Sequence, residues 1–346
     1  MSLVGFGRLI QGRLFPPANP TASLEGKTVL LTGGTSGLGL EAAIKYIDLG
    51  VSSLIIGCRN AERGNEAKKV IEKRTKRDGN TADFNIQIWA LDMASYQSVI
   101  SFAEKINDEI PRLDIALLNA GVMHRKYTLT KDGWEETLQA NALSTALLGL
   151  LLLPKLRASR DTITGTAAHL TFISSGSYRH ATTEELQPEG TSSILQHLNS
   201  EEAFRAHSQY RLSKVLVEYT TKSIANLTRC DDGSVEVIVN SACPGYCRSR
   251  LGREYDAWHE RMFVAIFERI FGRTSEQGSR TLVSATLLGE ESHGKWWRSD
   301  QYPDISATLT GTSEGKGLQT RAWKEIVGEL KLRSPEVERL GLSDDI

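Results

Sequence analysis

The sequence predicts a doubly wound α/β fold: a parallel sheet between two layers of helices, three layers in all, forming a single domain. Three observations predict it. Short apolar runs alternate with amphipathic helical stretches from residue 27 onward, the first run breaks into a glycine cluster that feeds a helix, and no repeat, low-complexity block or Pro/Ser-rich linker interrupts the 346 residues. Strands that alternate with helices must pair in parallel through right-handed crossovers, so helices cover both faces of the sheet.

The elements follow in order. Lys27 to Thr32 (KTVLLT) reads as a buried strand ending in a turn. Leu40, Ala43, Ile44 and Ile47 then share a helical face that stops at Gly50. Ser53 to Gly57 is a second strand, and Ala67, Val70 and Ile71 mark a helix with a charged outer face. Phe84 to Leu91 is a third strand, followed by Val99, Phe102, Ala103 and Ile106 at helical spacing. Leu113 to Leu118 is a fourth strand, about 134 to 156 a long helix, and His169 to Ile173 a fifth strand. A helix around Tyr210 and a strand from Val235 to Val239 complete the series.

Residues 1–25 form an arm outside the main unit of 26–346. Leu3, Phe6, Ile10 and Leu14 in the arm fit a segment packed on the body or one touching a membrane surface. The arm is too short for a span and carries no small-residue cleavage site. Beyond residue 245 the pattern loosens, and about 246–300 reads as a substrate lid. A last helix, about 318–331, has Trp323, Ile326, Val327 and Leu330 on one face. The 12-residue apolar run Ala142 to Leu153 has the length of a buried core helix, not of a membrane span.

Composition narrows the function. A net charge of −1 gives no bulk attraction to nucleic acid or anionic membranes. The four cysteines form no CxxC pair, which points to a reducing, cytoplasmic setting. The seven histidines lack metal-ligand spacing, so no metal is expected.

The first strand exits through Thr32-Gly33-Gly34-Thr35-Ser36-Gly37-Leu38-Gly39 straight into a helix. Glycines permit a tight turn and close backbone approach, and the helix N-terminus presents free N–H groups to a pyrophosphate. The pattern therefore predicts a dinucleotide site. At the second strand's end stands Cys58-Arg59-Asn60, with no acid to bind a ribose 2′-hydroxyl. Arg59 can fork onto a 2′-phosphate, so the expected cofactor is NADP(H). Asp92 either accepts from the adenine amino group or caps the helix beginning near Ser95. Asn119-Ala120-Gly121 follows the fourth strand, where small residues let the backbone lie against the nucleotide.

Tyr210 and Lys214 stand four apart on one helix, hence on one face. An ammonium beside a phenol lowers a pKa that is ordinarily about 10, which would ease proton donation to a developing alkoxide. Ser174 and Ser175 leave the fifth strand at the edge where ligands bind in open α/β sheets, and one of them can hold a substrate carbonyl. Asn141 interrupts an apolar helix, either to hold a relay water or as a satisfied structural residue.

Together these residues resemble the classical branch of the short-chain dehydrogenase/reductase family, a Rossmann-type fold, over about 26–250. Thr32 to Gly39 is similar to its TGxxxGxG turn, and Asn119-Ala120-Gly121 to its NAG motif. The resemblance implies that Asn141, Ser175, Tyr210 and Lys214 form the family's tetrad, with Ser175 favoured over Ser174. It implies that Pro244 and Gly245 form the turn beside the nicotinamide, and that Ser249 stands where a threonine usually meets the carboxamide. Within the family the chain is most similar to retinol-dehydrogenase and WW-domain-oxidoreductase-like members, and to fungal secondary-metabolite reductases. The implied activity is reduction of a ketone or aldehyde by NADPH, with Tyr210 as general acid. The alternatives are an NADP-dependent alcohol dehydrogenase and a non-catalytic dinucleotide-binding regulator.

The expected substrate is bulky and largely apolar, with a pocket walled by Tyr178, His180, Tyr246, Trp258, Phe263 and Phe267. The same aromatics would equally suit helix core or the face of a homodimer.

Overall fold

In the computed structural model the described residues are 10–77, 84–161, 165–248 and 258–342. Seven parallel strands form one sheet in the order β3-β2-β1-β4-β5-β6-β7. They are β1 (Thr28–Thr32), β2 (Ser53–Cys58), β3 (Asn85–Ala90), β4 (Ile115–Leu118), β5 (Ala168–Ile173), β6 (Val237–Ala242) and β7 (Trp296–Trp297). After β3 the chain returns to the centre and places β4 beside β1, so winding reverses between them. Crossovers diverge there, and the carboxyl ends of β1 and β4 border a crevice.

One helical layer holds α1 (Gly37–Asp48), α2 (Ala61–Arg77) and α7 (Ser275–Ala285), with α7 packed on α1. The other holds α3 (Tyr96–Glu109), α4 (Glu136–Ala158) and α5 (Ala206–Leu227). Two further helices are α6 (Trp258–Phe271) and α8 (Ser313–Arg333), and the short α9 (Pro335–Arg339) follows α8. Helix α4 is apolar on every side because it is enclosed on every side: 94% of its most apolar window is buried. Leu147, Leu148, Leu150 and Leu152 are wholly inaccessible, and burial of each contributes about 1.5–3 kcal/mol. This is the core helix that its 12-residue apolar run predicts.

Two boundaries differ from the sequence reading. The final long helix runs Ser313–Arg333, beginning at a Thr312 cap whose side chain accepts from the Gly315 amide. The segment read as a lid over 246–300 divides. In its later part α7 buries Leu282, Val283 and Ala285 against α1, and Trp296–Trp297 pair with Ser241–Ala242 as the last strand. Its earlier described part is the helix α6 and the turn to Gly272.

The arm lies against that stretch. Residues 10–14 are helical. The buried Arg273 guanidinium donates to Gly12 O at 2.5 Å, Phe15 O at 3.4 Å, Pro244 O at 3.1 Å and Ser299 Oγ at 2.9 Å. Arg280 donates to Pro17 O at 3.1 Å.

Candidate active site

The sequence-predicted residues converge on a cavity of about 600 Å³ at the carboxyl edge of the sheet. The glycine turn, the tips of β2 and β4, the Ser174–Ser175 exit of β5, Tyr210, Lys214 and the Cys243–Pro244–Gly245 turn all line it.

At the cofactor end the turn is held by β4. Asn119 Nδ2 donates to Thr32 O at 3.0 Å and Gly33 O at 3.2 Å, and the Ala120 amide donates to Thr32 Oγ1 at 2.9 Å. Gly33 adopts φ +70°, a left-handed conformation that favours glycine. A Cβ on Gly39 would stand 2.2 Å from Gly33 O, so the helix starts only because no side chain intrudes. Ser36 is the N-cap of α1 and makes no side-chain cap bond, and no acid lies in the first turn. The amides of that turn are therefore not claimed by the cap, as an anion-binding helix terminus requires. This cradle fits a dinucleotide pyrophosphate.

Arg59 is 63% exposed at its side chain and stands at the cavity rim, as expected. Glu136, from the start of α4, lies 3.9 Å away. The sequence reading has no acid competing for Arg59, and the fold supplies one from a distant segment. It also supplies a second base, Arg63, on the first turn of α2 and on the cavity wall. Asp92 lines the cavity and its carboxylate accepts from the Ala94 amide at 3.0 Å. The cap of α3 is Ser95, which accepts from the Ser98 amide. Of the two readings of Asp92, capping thus falls to its neighbour.

At the catalytic end Tyr210 and Lys214 share one face of α5, Tyr210 half-buried at the cavity and Lys214 buried, with Lys214 Nζ 5.8 Å from the phenol ring centre. Lys214 Nζ donates to Ile173 O at 2.8 Å, which binds the helix to the end of β5. Ser175 Oγ, on the same cavity as the Tyr210 phenol, accepts from Ser177 Oγ at 3.0 Å. Burial pushes the Tyr210 phenol up to about 12, and the neighbouring Ser175 hydroxyl draws it only partly back. Burial also pushes the Lys214 ammonium down to about 8. The expected lowering of the phenol by its ammonium neighbour is therefore outweighed by desolvation.

Asn141 lies in a π-helical turn, Gln139–Leu143, within α4. Its Oδ1 accepts from the Val122 amide and its Nδ2 donates to Val122 O, both at 2.8 Å, with Ser213 Oγ at 3.1 Å. These bonds brace the strand-like segment after β4 against α4. A Cβ on Gly121 would stand 3.2 Å from Asn141 Oδ1 and 3.7 Å from Lys214 Nζ, so the glycine lets both side chains approach the cavity floor.

Among the aromatics, Tyr246 lines the cavity and packs edge-on against Phe267 at 5.5 Å. Tyr178 does not line it: it is fully buried beneath Trp296 at 5.1 Å, and its neighbour His180 is exposed. Ser249 and the side chains of Trp258 and Phe263 lie outside the described residues.

Two groups were missed in the sequence. Glu135 accepts from the Thr137 and Leu138 amides at 3.0 and 2.8 Å, and from Gln209 Nε2 at 2.7 Å, tying the start of α5 to that of α4. No local signal marks the Gln209 partnership. Cys243 Sγ accepts from the amides of Gly176 and Gly245 at 3.1 and 3.4 Å, joining the exits of β5 and β6.

Residues 27–181 match the family model described as short chain dehydrogenase. The chain is 43% identical to the short-chain dehydrogenase/reductase ffsI of Aspergillus flavipes over 94% of its own length and 92% of that protein's. It is also 43% identical to the short-chain dehydrogenase/reductase phmF of Phaeosphaeria nodorum, over 94% and 92%. Among solved structures it is similar to the Pseudomonas aeruginosa RhlG/NADP active-site complex, with a TM-score of 0.56 at 23% identity, covering 80% of this chain and 96% of that one. The short chain dehydrogenase of Shigella flexneri gives a TM-score of 0.55 at 21% identity, over 84% and 98%. With the glycine cradle, Ser175, Tyr210 and Lys214 gathered on one cavity and relatives this extensive, the chain belongs to the short-chain dehydrogenase/reductase family, whose members are oxidoreductases that use a nicotinamide dinucleotide.

Proposed function

We propose that this enzyme is an NADPH-dependent reductase of a ketone or aldehyde group on a bulky, largely apolar molecule. The observation that carries the reading is the meeting of Ser175, Tyr210 and Lys214 on one cavity beside the glycine cradle. A phenol there can act as the proton donor to a carbonyl oxygen. Ser175, beside that phenol, is placed to hold the carbonyl oxygen while Tyr210 Oη delivers its proton there. Lys214 is buried beside both, where an ammonium stabilises the phenolate that proton donation leaves behind. The reduced nicotinamide supplies the hydride when bound.

Preference for NADPH rests on Arg59 and Arg63 at the tip of β2, which itself carries no acid. The similarity to a structure described as an NADP complex supports the same choice. Wild-type enzyme is expected to use NADPH with at least about tenfold higher kcat/KM than NADH, about 1.4 kcal/mol of discrimination. Arg59→Asp should narrow or invert that ratio. Equal efficiency of the wild type with both cofactors would refute the assignment.

The substrate class rests on the wall formed by Val122, Met123 and Tyr246, the last backed by Phe267. Such surfaces favour flat or greasy ligands. The fungal origin of these short-chain dehydrogenase/reductase relatives fits the proposed role in secondary metabolism. A panel of carbonyl compounds with matched reactive groups, from short polar ketones to polycyclic ones, tests this through NADPH oxidation. Efficiency should rise with apolar bulk, and a steady fall would exclude the pocket.

A further inference from the structure

Glu218 lies one turn beyond Lys214 and one turn before Lys222 on α5, so Tyr210, Lys214, Glu218 and Lys222 follow one stripe at steps of four. Its side chain is buried. Ser241 Oγ on β6 lies 3.0 Å from both carboxylate oxygens. Ala242, next to Ser241 on β6, accepts from the Ser174 amide at 2.8 Å. Glu218 therefore holds β6 at the point where it pairs with the catalytic serine's strand exit, although it does not line the cavity itself.

We propose that Glu218 is a positioning residue of the active site, whose carboxylate fixes the Ser174–Ser175 exit of β5 and keeps the Lys214 side chain in its ammonium form. The inference rests on the reading that Tyr210 and Lys214 carry the reaction.

The charges around it make the sign definite. From α5, Lys214 and Lys222 face the carboxylate; from beyond β5, Tyr178 does, its phenol raised partly by Glu218. Cys243, beyond β6, acts on Lys214 and Tyr178. Burial raises the Glu218 carboxyl, while the Ser241 hydroxyl and the two lysines pull it down. A negative charge there favours the ammonium, and its removal must lower the Lys214 pKa. A side chain that only filled space would change stability without moving that titration.

The test is the pH profile of kcat/KM for NADPH-dependent reduction by wild type, Glu218→Gln and Glu218→Asp. In Glu218→Gln the alkaline limb should move to lower pH by at least about half a unit, as expected for loss of an opposite charge. Glu218→Asp should restore it. A limb that stays in place in folded Glu218→Gln overturns the proposal. If Glu218→Gln does not fold, Ser241→Ala replaces it, since loss of that donor raises the Glu218 pKa and must move the limb in the same direction. Tyr210→Phe, assayed alongside, separates the two ideas. An active Tyr210→Phe defeats the reading of the active site, whereas an inactive one with an unmoved Glu218→Gln limb defeats this inference alone.

Discussion

Tyr210→Phe is expected to lower kcat/KM by about 10²- to 10⁴-fold, the range for losing a positioned general acid. The ring remains and only a hydroxyl at the cavity wall is lost, so the fold and the cofactor cradle should be unaffected. NADPH affinity, read by fluorescence titration, should therefore change by less than about threefold, under 1 kcal/mol. Lys214→Ala differs in kind, because its Nζ also ties α5 to Ile173 O, and both turnover and cofactor affinity should fall. Tyr210→Phe activity above a few per cent of wild type would disprove the general-acid role.

Gly39→Ala is the second substitution with a large expected effect. The added methyl would meet Gly33 O at 2.2 Å and Asn119 Nδ2 at 2.7 Å. Neither can retreat easily: Gly33 O belongs to the turn backbone, and Asn119 Nδ2 is committed to Thr32 O and Gly33 O. The turn must open, so NADPH binding should weaken by at least about 100-fold, near 2.8 kcal/mol. Gly37→Ala supplies the contrast. Its φ is +55°, but the nearest atom to an added Cβ is Ser275 Oγ at 4.0 Å, so only the backbone penalty of about 1–2 kcal/mol applies. Calorimetric titration that finds Gly39→Ala within fivefold of wild type would mean that the cradle yields.

What could be read from the sequence was what local chemistry specifies. The order of β1, glycine turn and α1 is written in a β-branched run that breaks at Gly33, and the shared face of Tyr210 and Lys214 follows from helical spacing alone. What could not be read depends on segments far apart in the chain. Glu136 reaches Arg59 from the start of α4, Tyr178 is sealed beneath Trp296, and Trp296–Trp297 continue the sheet with only two residues. The direction of the Tyr210 pKa shift differs from the expectation for the same reason. Neighbouring charge is visible as a spacing of four, whereas the burial that outweighs it is a property of the assembled core.

Arg273 gives the arm a meaning that its position outside the sheet conceals. One guanidinium holds carbonyls at residues 12 and 15, the Pro244 carbonyl of the cavity-lining turn after β6, and the Ser299 hydroxyl after β7. The match to the family model begins at residue 27, which makes that residue a tempting place to start a shortened chain. Such a chain would strip a buried cation of two acceptors while leaving it wedged against Gly245, where an added Cβ would already lie 3.0 Å from its Nη1. Trimming the arm is therefore an intervention at the rim of the cavity.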